Sequence, residues 1–261
     1  MDPNVFLVLF TILLWIIIAD NLLLGIFLII RAYQVKFSNL FWMGIAFILF
    51  FIGLVSNFLL GYGYFIEEIF VNIGYYLIAF FTYLTFYKRK SDNRAKMLLY
   101  VLLILLLARI ALGLIIEINL NPITRYFERI VINCYVFLVF YWLGWSSFST
   151  FKRFREREIA PWIKSRYKTI SIVSFLWPIH ALVAIFVPWD TEFGDPSNLL
   201  SFINFGITVI LSLIFILGMI KAWVIPKRLK NYLNRKKGYK SSEEEDFSEV
   251  ELMKLIKNQL G

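Results

Sequence analysis

Three ionisable residues lie within otherwise apolar stretches of this 261-residue chain: Asp20, Arg109 and His180. An ionised side chain at bilayer depth is expensive and usually meets a partner or a wet cavity, so each is a candidate site residue. With a helical rise of about 1.5 Å per residue, Asp20 lies about 15 Å, Arg109 about 18 Å and His180 about 15 Å from the same side of the apolar layer. An aspartate and an arginine at one depth can share a charge-assisted, bidentate hydrogen-bonded pair. Arg109 is then either half of a structural ion pair or the binding point for an anionic ligand group, and opening and closing the pair would act as a switch. His180 follows Trp177 and Pro178 in the string Phe-Leu-Trp-Pro-Ile-His. A proline within a span frees a backbone carbonyl and bends the helix, which makes this stretch a candidate moving part.

A second polar group falls toward the opposite side of the layer: Asn57, Asn72, Asn133, Asn204 and Thr208, with Glu117, Glu128 and Arg129 near the surface. Amides that hydrogen-bond between helices hold membrane bundles together, which is the structural reading of these residues. Their shared placement also allows a pocket with Asp20, Arg109 and His180 at its floor and Tyr75, Tyr76, Tyr135 and Trp142 as walls.

Other chemistries lack the residues they need. A single histidine cannot build a multi-histidine metal or haem site, and Cys134, the lone cysteine, forms no intrachain disulfide or thiolate zinc site. No nucleophile, metal set or phosphate-handling motif accompanies the buried charges, so the expectation is a non-enzyme without cofactor. The net charge of +9 carries no nucleic-acid-binding module with it.

These residues must be positioned by membrane helices. Sixty per cent of the chain is apolar, 19% is aromatic, and the mean hydropathy is +0.71, well above a soluble domain. The first 30 residues have no basic leading segment and no small-residue cleavage site, and they read as a retained helix. The expected spans are Phe6 to Ile30, Leu40 to Leu60, Ile69 to Phe86, Met97 to Ile118, Arg129 to Ser149, Ile170 to Pro188 and Leu199 to Ile220. The fold class is therefore an all-α integral membrane protein, a seven-transmembrane-helix bundle occupying residues 1–225.

Most of the 27 Lys and Arg residues fall after spans one, three, five and seven, as in Arg31, Lys36, Lys88 to Lys96, Lys152 to Lys168 and Lys221 to Lys240. The other connections carry Glu67, Glu68, Glu117, Glu128, Asp190, Glu192 and Asp195, against Arg125 and Arg129. Basic residues are retained on the cytoplasmic side, so the N-terminus is expected outside and the C-terminus in the cytoplasm of a cell membrane. Residues 226–261 read as a basic juxtamembrane segment followed by a short amphipathic tail helix. That helix opens on the capping pattern Ser248-Glu249-Val250-Glu251. Expected partners are the bilayer, its anionic headgroups, and a cytoplasmic protein docking on 150–168 and 226–261.

Seven spans with this orientation are similar in architecture alone to rhodopsins, G-protein-coupled receptors and the sensor regions of some histidine kinases. Span seven lacks the lysine that a retinal Schiff base requires. The expected function is a sensor or receptor-like bundle that binds a ligand from the outer side and relays to a cytoplasmic partner. The alternatives are a small transporter or channel subunit using a midplane Asp/Arg/His site, and a non-catalytic membrane scaffold.

Overall fold

A computed structural model describes residues 3–88, 92–118, 121–155, 160–188, 191, 194–195, 197–223 and 232. Runs of Leu, Ile and Phe in a medium without water must satisfy every backbone group internally, and the helix does this within one segment. The elements are α1 (Pro3–Gln34), α2 (Asn39–Phe58), α3 (Tyr64–Phe86), α4 (Asn93–Ile118), α5 (Pro122–Arg155), α6 (Pro161–Leu176), α7 (Ile179–Ala184) and α8 (Leu199–Trp223). Among the described residues all regular structure is helical, and seven helices are long and apolar enough to cross a membrane, with α6 and α7 forming one such span. This makes the chain an integral, multi-pass membrane protein by length and composition.

Three spans begin five or more residues earlier than the hydrophobic pattern predicts. α3 opens at Tyr64 after Gly61 and Gly63, whose φ values of +64° and +90° are conformations that glycine adopts without penalty. α5 opens at Pro122, where the Asn121 Oδ1 accepts the Ile123 amide at 2.9 Å and proline occupies the first helical position. α6 opens at Pro161. In each case charged residues extend the helix past the apolar layer instead of ending it, so Glu67, Glu68, Glu128 and Arg129 are helical residues. The expected tail, 226–261, lies outside the described residues apart from position 232, as do 156–159 within the expected 150–168 docking segment.

The spans pack in chain order as a ring. Each helix from α1 to α5 packs on the next, α6 and α7 pack on α8, α8 returns to α1, and α3 meets α5 across the middle. The ring is filled by aromatic side chains. Phe50 and Tyr75 stand 5.1 Å apart, Tyr75 and Phe140 5.5 Å, Phe140 and Phe215 5.2 Å, and Phe47 and Phe215 6.1 Å between ring centroids. Trp177 joins this cluster at 5.8 Å from both Phe140 and Phe215. Gly25 and Gly44 let α1 and α2 cross closely: a Cβ on either would stand 2.9 Å from the other's carbonyl oxygen.

Candidate functional site

α4 is the most lipid-facing span, and its buried residues form one stripe: Ala95, Leu102, Leu106, Arg109 and Gly113. The helical period puts Arg109 on the face that packs against α3 and α5. The side chain is 2% exposed. Its Nη2 pairs with Glu68 Oε1 on α3 and its Nη1 with Glu128 Oε1 on α5. Gly113, one turn on, leaves room for this arrangement, since a Cβ there would meet the Phe65 ring at 2.9 Å and Arg109 Nη1 at 3.6 Å. One guanidinium thus ties three helices together.

The clamp extends along α3 and α5. Asn72, one turn after Glu68, donates its Nδ2 to the Glu68 carbonyl at 2.7 Å, and Tyr135 donates its hydroxyl to the Asn72 carbonyl at 2.9 Å. On the far side of α3, Asn57 Nδ2 of α2 donates to Glu67 Oε2 at 2.5 Å. Arg129, next to Glu128, donates Nη1 to the Val187 carbonyl beyond α7. Buried polar atoms without a hydrogen-bond partner among the described residues include Arg109 Nε, Asn72 Oδ1, Asn133 Nδ2 and Asn204 Oδ1.

The structure does not bring Asp20, Arg109 and His180 together. Similar depth does not make helices neighbours: α1 packs on α2 and α8, whereas α4 sits between α3 and α5. Asp20 is half-buried on α1, and the expected Asp20–Arg109 pair is replaced by pairs to Glu68 and Glu128. His180 serves the bend in span six. Its Nδ1 donates to the Trp177 carbonyl at 2.6 Å, a group released because the Ala181 amide turns to the Pro178 carbonyl at 3.1 Å. The His180 ring rests on Trp177 with centroids 4.5 Å apart.

Asn57 and Asn72 join α2, α3 and α5 as described. Asn133 lies five residues past Glu128, about 140° around α5 and so on another face. Asn204 lies on α8, which packs on α1, α6 and α7. Three of the four expected pocket walls are packed: Tyr75 and Tyr135 belong to the aromatic interior, and Trp142 lies near Tyr87 at 5.6 Å, while Tyr76 is part-buried.

Glu68 and Glu128, which the charge pattern places in the outer connections, are the Arg109 partners that the sequence alone does not identify. A signal for them exists. Glu68, Asn72, Tyr75, Ala79, Thr82 and Phe86 recur at helical spacing, as do Glu128, Tyr135, Val139, Trp142, Ser146 and Thr150. Each buried stripe runs through the glutamate rather than stopping at the apolar boundary.

No family model, curated protein or solved structure matches this chain.

Proposed function

We propose that this chain is a seven-helix sensor of the cell membrane. It takes its input at the acid-rich end of the bundle, on the outer side, and relays it to a protein partner at the basic, cytoplasmic end. The observation that carries this reading is the buried Arg109 held by carboxylates of two different helices. An ion pair shared between helices is a two-state element, since an input that replaces one partner changes how the helices meet. A cation that competes with Arg109 for Glu68 or Glu128 is the input that such a shared pair would answer. α5 supplies the relay, because the same 34-residue helix carries Glu128 near one end and Lys152, Arg153 and Arg155 at the other. The bend at Trp177-Pro178 gives span six a joint beside the aromatic core.

The test is hydrogen exchange of the 145–155 segment in the reconstituted full chain. Sodium, calcium or acidification is applied on the acid-rich side, and the wild type is compared with Arg109→Met and Glu128→Gln. Opening the clamp by substitution or by one of these ions should change exchange at the far end of α5. If exchange in 145–155 and thermal stability stay the same in both variants and with every ion, the sensor reading fails.

A further inference from the structure

Asp20 is the ionisable residue that the clamp leaves unused. It lies near the middle of the Thr11–Gln34 span, and among the described residues its carboxylate makes no hydrogen bond or ion pair. On the helical wheel it marks the seam of α1. Ile17 and Leu24 on one flank are buried in the bundle, while Ile16 and Leu23 on the other are 44% and 64% exposed. Ala19, beside it on the exposed side, is small enough to let another backbone approach closely. A carboxylate facing hydrocarbon at mid-span is unfavourable until a cationic or donor group meets it there.

A second copy of this chain offers no free cationic group at that depth among the described residues. The one Lys or Arg at mid-span depth among the described residues is Arg109, which is buried and committed to Glu68 and Glu128. We infer that the α1 flank around Asp20 docks a transmembrane helix of a different protein, one carrying a lysine or arginine at mid-span. The pairing would be a charge-assisted hydrogen bond within the bilayer, with Ala19 at the point of closest approach. This inference does not depend on the sensor reading, since it uses no residue of the clamp.

The experiment uses the full chain carrying Cys134→Ala and Leu23→Cys in phosphatidylcholine vesicles. It is mixed with a leucine-rich transmembrane peptide that bears one cysteine and either a central lysine or a methionine in its place. Disulfide-linked chain–peptide product is measured under mild oxidation. The lysine peptide should link several-fold more than the methionine peptide. That preference should vanish in Asp20→Asn, and it should be absent when the reporter cysteine is placed at Leu107 on the lipid face of α4. Equal linking of the two peptides, or a preference that survives Asp20→Asn, would overturn the proposal. So would an Asp20-dependent disulfide dimer of the chain without peptide, which would assign the face to a second copy. Asp20→Leu, which suits hydrocarbon, serves as a second variant if the asparagine form folds poorly, and it should lose the preference in the same way.

Discussion

Arg109 of α4 and Glu128 of α5 form an ion pair inside the acid-rich half of the bundle, and Glu68 of α3 closes on the same guanidinium from its other nitrogen. The pairing decides how the three helices respond to substitution. A buried charge is tolerated only while its partner is present, and losing one partner costs more than losing the whole set.

Arg109→Met should therefore destabilise the bundle by about 3 to 5 kcal/mol, because it leaves two carboxylates facing each other in a dry interior. Glu128→Gln should cost less, since Glu68 still neutralises the guanidinium. The triple variant Arg109→Met, Glu68→Gln, Glu128→Gln should recover most of the loss. Denaturant unfolding in detergent gives the comparison. Equal stabilities for the single arginine variant and the triple variant would show that the cluster contributes no net pairing energy.

The bend in span six makes a spectroscopic prediction. His180 is the sole histidine of the chain, so one imidazole signal reports on it. With Nδ1 donating to the Trp177 carbonyl, the neutral ring is held with its proton on Nδ1. Pro178→Ala restores an amide that the Ser174 carbonyl can accept and returns the Trp177 carbonyl to the Ala181 amide. The imidazole nitrogen shifts should then move toward the form protonated at Nε2. An unchanged tautomer in Pro178→Ala would mean that the released carbonyl does not hold the ring.

The span count and the bend at Pro178 could be read from the sequence because both depend on local quantities, apolar length and a missing amide. The partners of Arg109 could not be found by matching depth. Depth is one coordinate, whereas pairing also depends on which helices adjoin, and the ring order places α1 away from α4. The charge pattern misled in two ways. Glu68 and Glu128 read as loop residues because they follow the polar breaks, although the buried stripes of α3 and α5 run through them. Arg166 reads as part of a basic docking surface, yet it is 2% exposed, because its guanidinium sits over the rings of two indoles. A sum of charges along a segment does not reveal which of them face inward.

The loop before α8 carries a pH dependence. Asp195 is held below the usual carboxylate value of 3.8, first by the Ser197 hydroxyl and then by the Ser197 amide, at 2.7 and 2.8 Å. A depressed value in the folded chain means that the turn's contribution is present above the ordinary carboxylate range and is lost as pH falls through the lowered value. The Ser197 amide resonance, followed by NMR, should titrate with a midpoint below 3.8, and Asp195→Asn should abolish the transition. A midpoint at or above the ordinary value would contradict the turn geometry.

Arg166 fastens α6 to the end of α8 at the basic end. Its Nε donates to the Ala222 carbonyl at 2.8 Å, one of the terminal carbonyls that an α-helix leaves unpaired, and its guanidinium lies 4.9 Å from the Trp162 ring and 4.7 Å from the Trp223 ring. A planar cation can stack on two rings and donate in its own plane at once, which a lysine ammonium cannot. Arg166→Lys should therefore cost about 2 kcal/mol despite keeping the charge, and Arg166→Leu should cost more by leaving the carbonyl unmet. The loss should be local, with faster hydrogen exchange in Met219–Trp223 while exchange around Arg109 is unchanged. If Arg166→Lys matches the wild type in both stability and exchange, the indole sandwich is a packing coincidence and the charge alone accounts for the residue.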